Sequence, residues 1–225
     1  VTRLKNDPEY ELIAEDHKHL TEAIASTEKA VALGAKAIYE ATAAFGGGLC
    51  RADIFRKVRG QDAWDIYEVK SATELKDEYY DDVSFQRHCF EGAGYTIRNT
   101  YLMHINNEYV RHGELEPQEL FAENDITEEV EDKMVGIDGR IKELLATINK
   151  DVCPEVAPGP QCTNPYVCGF FELCNKREAY DIYELPRGAK PIATLEAMGI
   201  RYLKDVPDVI ELTPRQQSVV LANKR

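Results

Sequence analysis

The spacing of apolar residues changes several times along the chain, and each change marks a different element. Residues 9–37, "EYELIAEDHKHLTEAIASTEKAVALGAKA", are rich in Ala, Leu and Glu, with apolar residues at roughly helical spacing, which predicts a helix. Three strand-like runs follow: "IYEATAAF" (38–45), "LCRADIFRKV" (49–58) and "AWDIYEVKSAT" (63–73). "GGG" joins the first two and "GQD" separates the second from the third, so a hairpin is expected. "DDVSFQRHCFEGAG" (81–94) suits a helix N-capped by an acid and closed by Gly94. The β-branched and aromatic run "YTIRNTYLMHI" (95–105) predicts another strand, and a longer helix is expected from about Thr127 to Lys150. Residues 151–180 are loop-like and cysteine-rich, and 181–225 are expected to form a helical tail, with a further domain of a longer protein expected beyond it. No internal repeat stands out. The order helix, strand, strand, strand, helix, strand implies an α/β or α+β core over residues 1–150, with a mixed central sheet flanked by helices.

Composition narrows the setting. The 225 residues are 44% hydrophobic and 30% charged, an ordinary composition with ample material for a core. No run approaches the ~18 consecutive apolar residues of a membrane span, and no basic region followed by an apolar stretch opens the sequence. The expectation is a cytoplasmic protein that makes no use of a membrane. A net charge of −13 argues against coating nucleic acid non-specifically, but it leaves room for a local basic groove. Much of the acid sits in "HGELEPQELFAENDITEEVEDKM" (112–134), so a phosphate backbone has to run elsewhere.

"DIYEVKS" (65–71) carries the first candidate chemistry. Side chains two apart on a strand share a face, so Glu68 and Lys70 project together. Asp53, on the preceding strand of the expected hairpin, can come near Glu68. Two carboxylates and the Val69 carbonyl are hard oxygen donors of the kind that hold Mg²⁺ or Mn²⁺. Lys70 can orient an attacking water or stabilise developing negative charge. This set suits metal-assisted phosphodiester hydrolysis. An acid-x-Lys pair also arises on exposed strands as a simple ion pair, and the motif alone leaves that reading open.

The cysteines carry the second. Cys153, Cys162, Cys168 and Cys174 crowd into "CPEVAPGPQCTNPYVCGFFELC", which points to metal more than to disulfides where no secretion signal is seen. Their spacing does not fit the paired Cys-x-x-Cys knuckles of zinc ribbons. Thiolates hold iron–sulfur clusters or Zn²⁺, and free, partly buried thiols are the alternative. Cys50 and Cys89 stand apart and read as small core residues.

Asp53, then Glu68-Val69-Lys70, then Gln86 in "FQRHCF" together resemble the PD-(D/E)xK nuclease superfamily, in particular its RecB-like branch, over roughly residues 28 to 175. The resemblance implies a restriction-endonuclease-like core and a DNA nuclease, an exonuclease on single-stranded or free ends. It implies that Asp53, Glu68 and the Val69 carbonyl bind the metal, that Lys70 positions the nucleophile, and that Gln86 binds DNA or the water. Two departures stand out. "CRAD" replaces the branch's Gly-x-x-Asp strand, and Phe90 stands where Gln-x-x-x-Tyr has tyrosine. Glu40 occupies the place of an acid on the strand before the Asp motif, or is a surface strand residue. For the branch's helical metal-binding histidine the candidates are His17 and His19, which two-residue spacing turns to different sides of a helix, so a solvated face is expected.

The run "GPQCTNPYVCGFFELC" looks like the C-terminal part of an uncharacterised bacterial family with this core, similar to CRISPR-associated nucleases stapled by a [4Fe–4S] cluster. That likeness implies Cys153, Cys162, Cys168 and Cys174 as cluster ligands, with Cys50 or Cys89 as substitutes for the fourth and Zn²⁺ as the alternative occupant. It also implies a further exonuclease-like domain or partner protein. "LEAMGIRYLKDVPD" resembles the second half of a helix–hairpin–helix, although a plain packing helix is the simpler expectation. Two other functions fit the same residues: a catalytically inactive nuclease-fold module that binds DNA or protein, and a zinc-stapled regulatory domain.

Overall fold

The computed structural model describes residues 9–156, 159–174 and 179–224, so 157–158 and 175–178 of the cysteine segment lie outside the described residues. The chain divides into two units, with the boundary between Pro154 and Glu155. The first runs β1 (Tyr10–Leu12), α1 (Leu20–Ala32), β2 (Ala37–Phe45), β3 (Gly48–Lys57), β4 (Trp64–Lys70), α2 (Asp77–Gly92), β5 (Ile97–Ile105), α3 (Pro117–Leu120), β6 (Phe121–Asp125), α4 (Thr127–Met134) and α5 (Ile137–Ile148). Its six strands form one sheet in sequential order. β1 pairs parallel with β2 and β4 with β5, while the other neighbours are antiparallel. This is the expected α/β arrangement, a mixed sheet with helices packed on it.

Local chemistry explains the hairpin. Gly46 and Gly47 have φ of 59° and 86°, and Phe45 pairs with Gly48, which makes a two-residue turn of the kind that needs two left-handed positions. α2 is the crossover between the parallel strands β4 and β5 and buries Tyr79, Val83, Cys89 and Phe90. Phe55 lies at the centre of the core. It stacks on Trp64 (centroids 4.3 Å apart) and on Phe90 (4.4 Å), with Tyr95 edge-on at 5.4 Å. α1 lies against β2 through the small residues Ala23, Thr27 and Ala30. The Thr27 hydroxyl donates to the Ala23 carbonyl and accepts the Thr42 N–H, both at 2.9 Å.

Burial along β2 and β3 breaks strict alternation. The positions that enter the main core cluster are Ile38, Ala41 and Ala43 on one strand, and Cys50, Ala52 and Phe55 on the other. Each strand thus contains one step of three where the pleat gives two, yet pairing stays in register on both sides (Tyr39 with Ile54, Ala41 with Ala52). Glu40 and Asp53 lie inside these two steps, and Glu40 has a left-handed φ of 59°.

Several expected elements differ. Residues 9–37 are not one helix: Tyr10–Leu12 pair with Ala37–Tyr39 as an edge strand, because sheet pairing outweighs helix propensity over so short a run. His17 and His19 therefore precede α1 rather than ride on it, and His19 is its N-cap. α2 begins at Asp77 after an extended Lys76 that makes no side-chain cap, and its acids Asp77 and Glu78 lie in the first turn, where they complement the helix dipole. At its end, Gly94 follows with φ 95°, as expected. The helix expected over 127–150 is two helices, broken at Gly136 (φ 76°), with the Arg140 guanidinium hydrogen-bonded to the Val135 and Lys133 carbonyls of the turn. Strand β6, "FAEND", is a polar edge strand that the alternation pattern did not reveal.

The second unit contains α6 (Phe171–Cys174), α7 (Ala189–Ala197) and α8 (Pro214–Asn223). Two 3₁₀ turns, Ile182–Glu184 and Leu203–Asp205, match each other. Each follows an extended residue (Asp181, Tyr202), and these two pair in an antiparallel bridge. Each ends in an extended residue (Leu185, Val206) followed by proline. Ile182, Leu185, Leu203 and Val206, with Leu195 and Val220, form a small core. "DIYELP" and "YLKDVP" are thus a short structural repeat, hidden in the sequence because only the bulk and spacing of the apolar residues recur. The Gly-Ile turn expected to open a helix–hairpin–helix leads into the second of these 3₁₀ turns instead. α8 is held by a capping box between Thr213 and Gln216.

Candidate active site

β3, β4 and α2 bring the expected residues together. Continuing the β3–β4 ladder beyond Ile54 and Tyr67 places Asp53 opposite Glu68. Asp53 Oδ2 accepts the Val69 N–H at 2.6 Å. Glu68 is buried and engaged at both oxygens: Oε1 accepts from Lys70 Nζ at 2.6 Å, and Oε2 accepts from Gln86 Nε2 at 2.7 Å. Lys70 Nζ also donates to Asp82 Oδ2 at 2.6 Å. Asp82 was not anticipated from the sequence. The signal was available, since it lies four residues before Gln86, one helical turn away on the same side of α2.

Charge and burial oppose one another here. Burial raises Glu68, helped by the Asp53 charge, against hydrogen bonds from Gln86 and Lys70 that lower it. Asp53 is likewise raised by burial, against the Val69 hydrogen bond and the Lys70 charge. Burial lowers Lys70, but its bonds to Asp82 and Glu68 win, and the net shift is upward. Glu40 is raised by burial and by the Asp53 charge, with Arg51 opposing. Its left-handed φ within a strand costs a non-glycine residue on the order of 1–3 kcal/mol.

A stability prediction follows from the sign of these shifts. A carboxylate raised above its unfolded value destabilises the fold at pH above the raised value, and the penalty disappears as pH falls through the ordinary carboxylate range. Asn at position 53 keeps an acceptor for the Val69 N–H. Asp53→Asn is therefore expected to melt at a higher temperature than the metal-free wild type at pH 7, with the gain lost as pH falls below the ordinary aspartate value of 3.8. Thermal unfolding across that range tests it, and a less stable variant at neutral pH contradicts it.

The neighbouring candidates have other roles. Phe90 is fully buried and stacked on Phe55, so its side chain packs the core and does not reach the carboxylates. His19 pairs with Asp16 at 2.8 Å on the surface, and His17 is exposed. Cys50 and Cys89 are buried in the core, where their thiols interact, and Cys50 Sγ lies 3.7 Å from the Gln86 carbonyl. The Cys89 contact and burial raise the Cys50 thiol.

The donors suit a hard divalent cation in kind: two carboxylates, and the Gln86 Oε1, which is buried and has no hydrogen-bond partner among the described residues. Lys70 now supplies the positive charge at Glu68. Among the described residues, no three His, Cys, Asp or Glu side chains are gathered as they would be around a metal ion. That holds for the cysteines too. Cys153 belongs to the first unit, and Cys162, Cys168 and Cys174 to the second. The Cys168 N–H donates to the Cys162 carbonyl at 2.8 Å, and Cys168 Sγ accepts the Phe170 N–H at 3.4 Å.

At the far end of β3, Lys36, Arg56, Lys57 and Arg59 line a groove of about 910 Å³ with Tyr10 and Asp62. Lys57 pairs with Asp62 at 2.5 Å, and Lys36 pairs with Glu9. Among the described residues no helix is long and apolar enough to cross a membrane. No known family model matches the chain, and no curated protein does either.

Proposed function

We propose that this chain is a divalent-metal-dependent DNA nuclease with a RecB-like PD-(D/E)xK core, acting on single-stranded or free ends. The supporting observation is the hydrogen-bonded set Asp53, Glu68, Lys70 and Gln86, assembled from β3, β4 and α2 around a buried carboxylate. Asp53 and Glu68, with the Val69 carbonyl, would hold Mg²⁺ or Mn²⁺, which supplies Lewis acidity toward a phosphodiester and an attacking water. Lys70 stays protonated, so it stabilises negative charge on the phosphate and does not abstract a proton. Gln86 fixes Glu68 through Nε2 and presents Oε1 to the nucleophile or to DNA. Cys162, Cys168 and Cys174, with Cys153 as fourth ligand, would carry a [4Fe–4S] cluster or Zn²⁺ as a structural staple. The test is degradation of end-labelled single- and double-stranded DNA with Mg²⁺ or Mn²⁺, against an EDTA control.

A second reading, a nuclease-fold module that binds DNA or protein without cutting, draws on the full engagement of both Glu68 oxygens. Binding without cleavage in the same assay would select it.

The basic groove gives the DNA path a separate test. Arg56→Glu combined with Arg59→Glu is expected to weaken single-stranded DNA binding at low salt. It should also flatten the dependence of log K on log salt by up to about 1.4, the release expected for two phosphate contacts. An unchanged slope places the path elsewhere.

A further inference from the structure

We propose that Asp82 is a positioning residue that takes over Lys70 when Glu68 turns to a divalent cation, an inference that rests on the metal-site reading above. Both Glu68 oxygens are engaged, one by the Lys70 ammonium and one by the Gln86 amide. A cation approaching Glu68 has to displace one of them. Lys70 is the partner that gives way, because it carries the same sign of charge as the incoming ion and Gln86 carries none.

The ammonium needs somewhere to go. Asp82 Oδ2 already accepts from Nζ at 2.6 Å, so Lys70 can release Glu68 without losing a charged partner or leaving the site. Asp82 and Gln86 lie one turn apart on α2, and each grips one member of the Glu68–Lys70 pair of β4. The start of that helix is anchored in turn: Lys133 of α4 donates to both Asp77 and Asp81 at 3.1 Å. Asp82 is half-exposed, which suits a residue that exchanges partners and not one that packs the core.

Without the Asp82 carboxylate, Glu68 is the acidic partner left to Lys70, and the ammonium competes directly with the cation. Asp82→Asn is therefore expected to weaken Mn²⁺ binding about fivefold, read by calorimetry with Mn²⁺ alone on the full chain. Bulk charge loss near a cation site would weaken binding too, so the decisive comparison is a cycle with Lys70→Met. In the Lys70→Met background, Asp82→Asn is expected to change Mn²⁺ affinity by less than about twofold, because the competitor is gone. Asp82→Ser serves as a second variant should the amide make a new bond to Lys70, and the same contrast is expected of it.

Equal weakening in both backgrounds overturns the proposal, since Asp82 would then act on the cation itself. No weakening in either background overturns it as well. These failures leave the metal site standing. If the wild type takes up no Mn²⁺, the metal-site reading falls, and this inference falls with it.

Discussion

Lys70→Ala is expected to reduce metal-dependent cleavage of end-labelled DNA at least about 10²-fold, the usual loss when one preorganised group that stabilises transition-state charge is removed. The side chain is not a freely rotating surface lysine. Glu68 and Asp82 fix its ammonium from two directions, at 2.6 Å each, and most of its surface is covered. Positive charge is thus in place before any phosphate arrives, and the Asp82 contact keeps it there when Glu68 turns to the cation. The fold should survive, because the aliphatic stem contributes little to the main core cluster. A folded variant with full activity would mean that the pair on β4 is an ion pair and nothing more. A wild type that binds DNA and cuts none would select the inactive module.

Phe55→Ala carries the largest expected effect on stability, about 3–5 kcal/mol. Its ring is fully buried between Trp64 and Phe90, with Tyr95 across its edge, so truncation opens a cavity walled by three large aromatics. Stacked rings hold one another in place and cannot collapse far into the gap. For a unit of about 150 residues the loss corresponds to roughly 6–20 °C in melting temperature. Calorimetry measures it directly, and a loss under about 1 kcal/mol would show that the cluster repacks freely. The effect would reach the site as well, since Phe90 is one turn from Gln86 on α2.

The sequence made some of this readable and hid the rest for identifiable reasons. β2 through β5 and α2 were legible because β-branched and aromatic residues and the glycine turns all agree with the tertiary structure. The acid-x-Lys spacing sufficed to put Glu68 and Lys70 on one face. Asp82 belongs to no motif on its own strand or helix, and its role comes from a partner on another element, Lys70 of β4. β1 was missed because three residues paired at a sheet edge leave no periodic signature. β6 was missed because an edge strand bearing Glu123 and Asp125 looks like the acidic loop around it. Glu40 is a different case. Nothing in "IYEAT" announces a left-handed residue, since glutamate is a poor choice for that conformation and is held there by the pairing on either side.

α2 gives the site a mechanical character. Because Asp82 and Gln86 project from the same rigid rod, a slide or roll of that rod shifts the grip on Lys70 and on Glu68 together. Whatever presses on the helix from outside, whether a bound strand or a docked protein, therefore acts on both charged groups through a single lever.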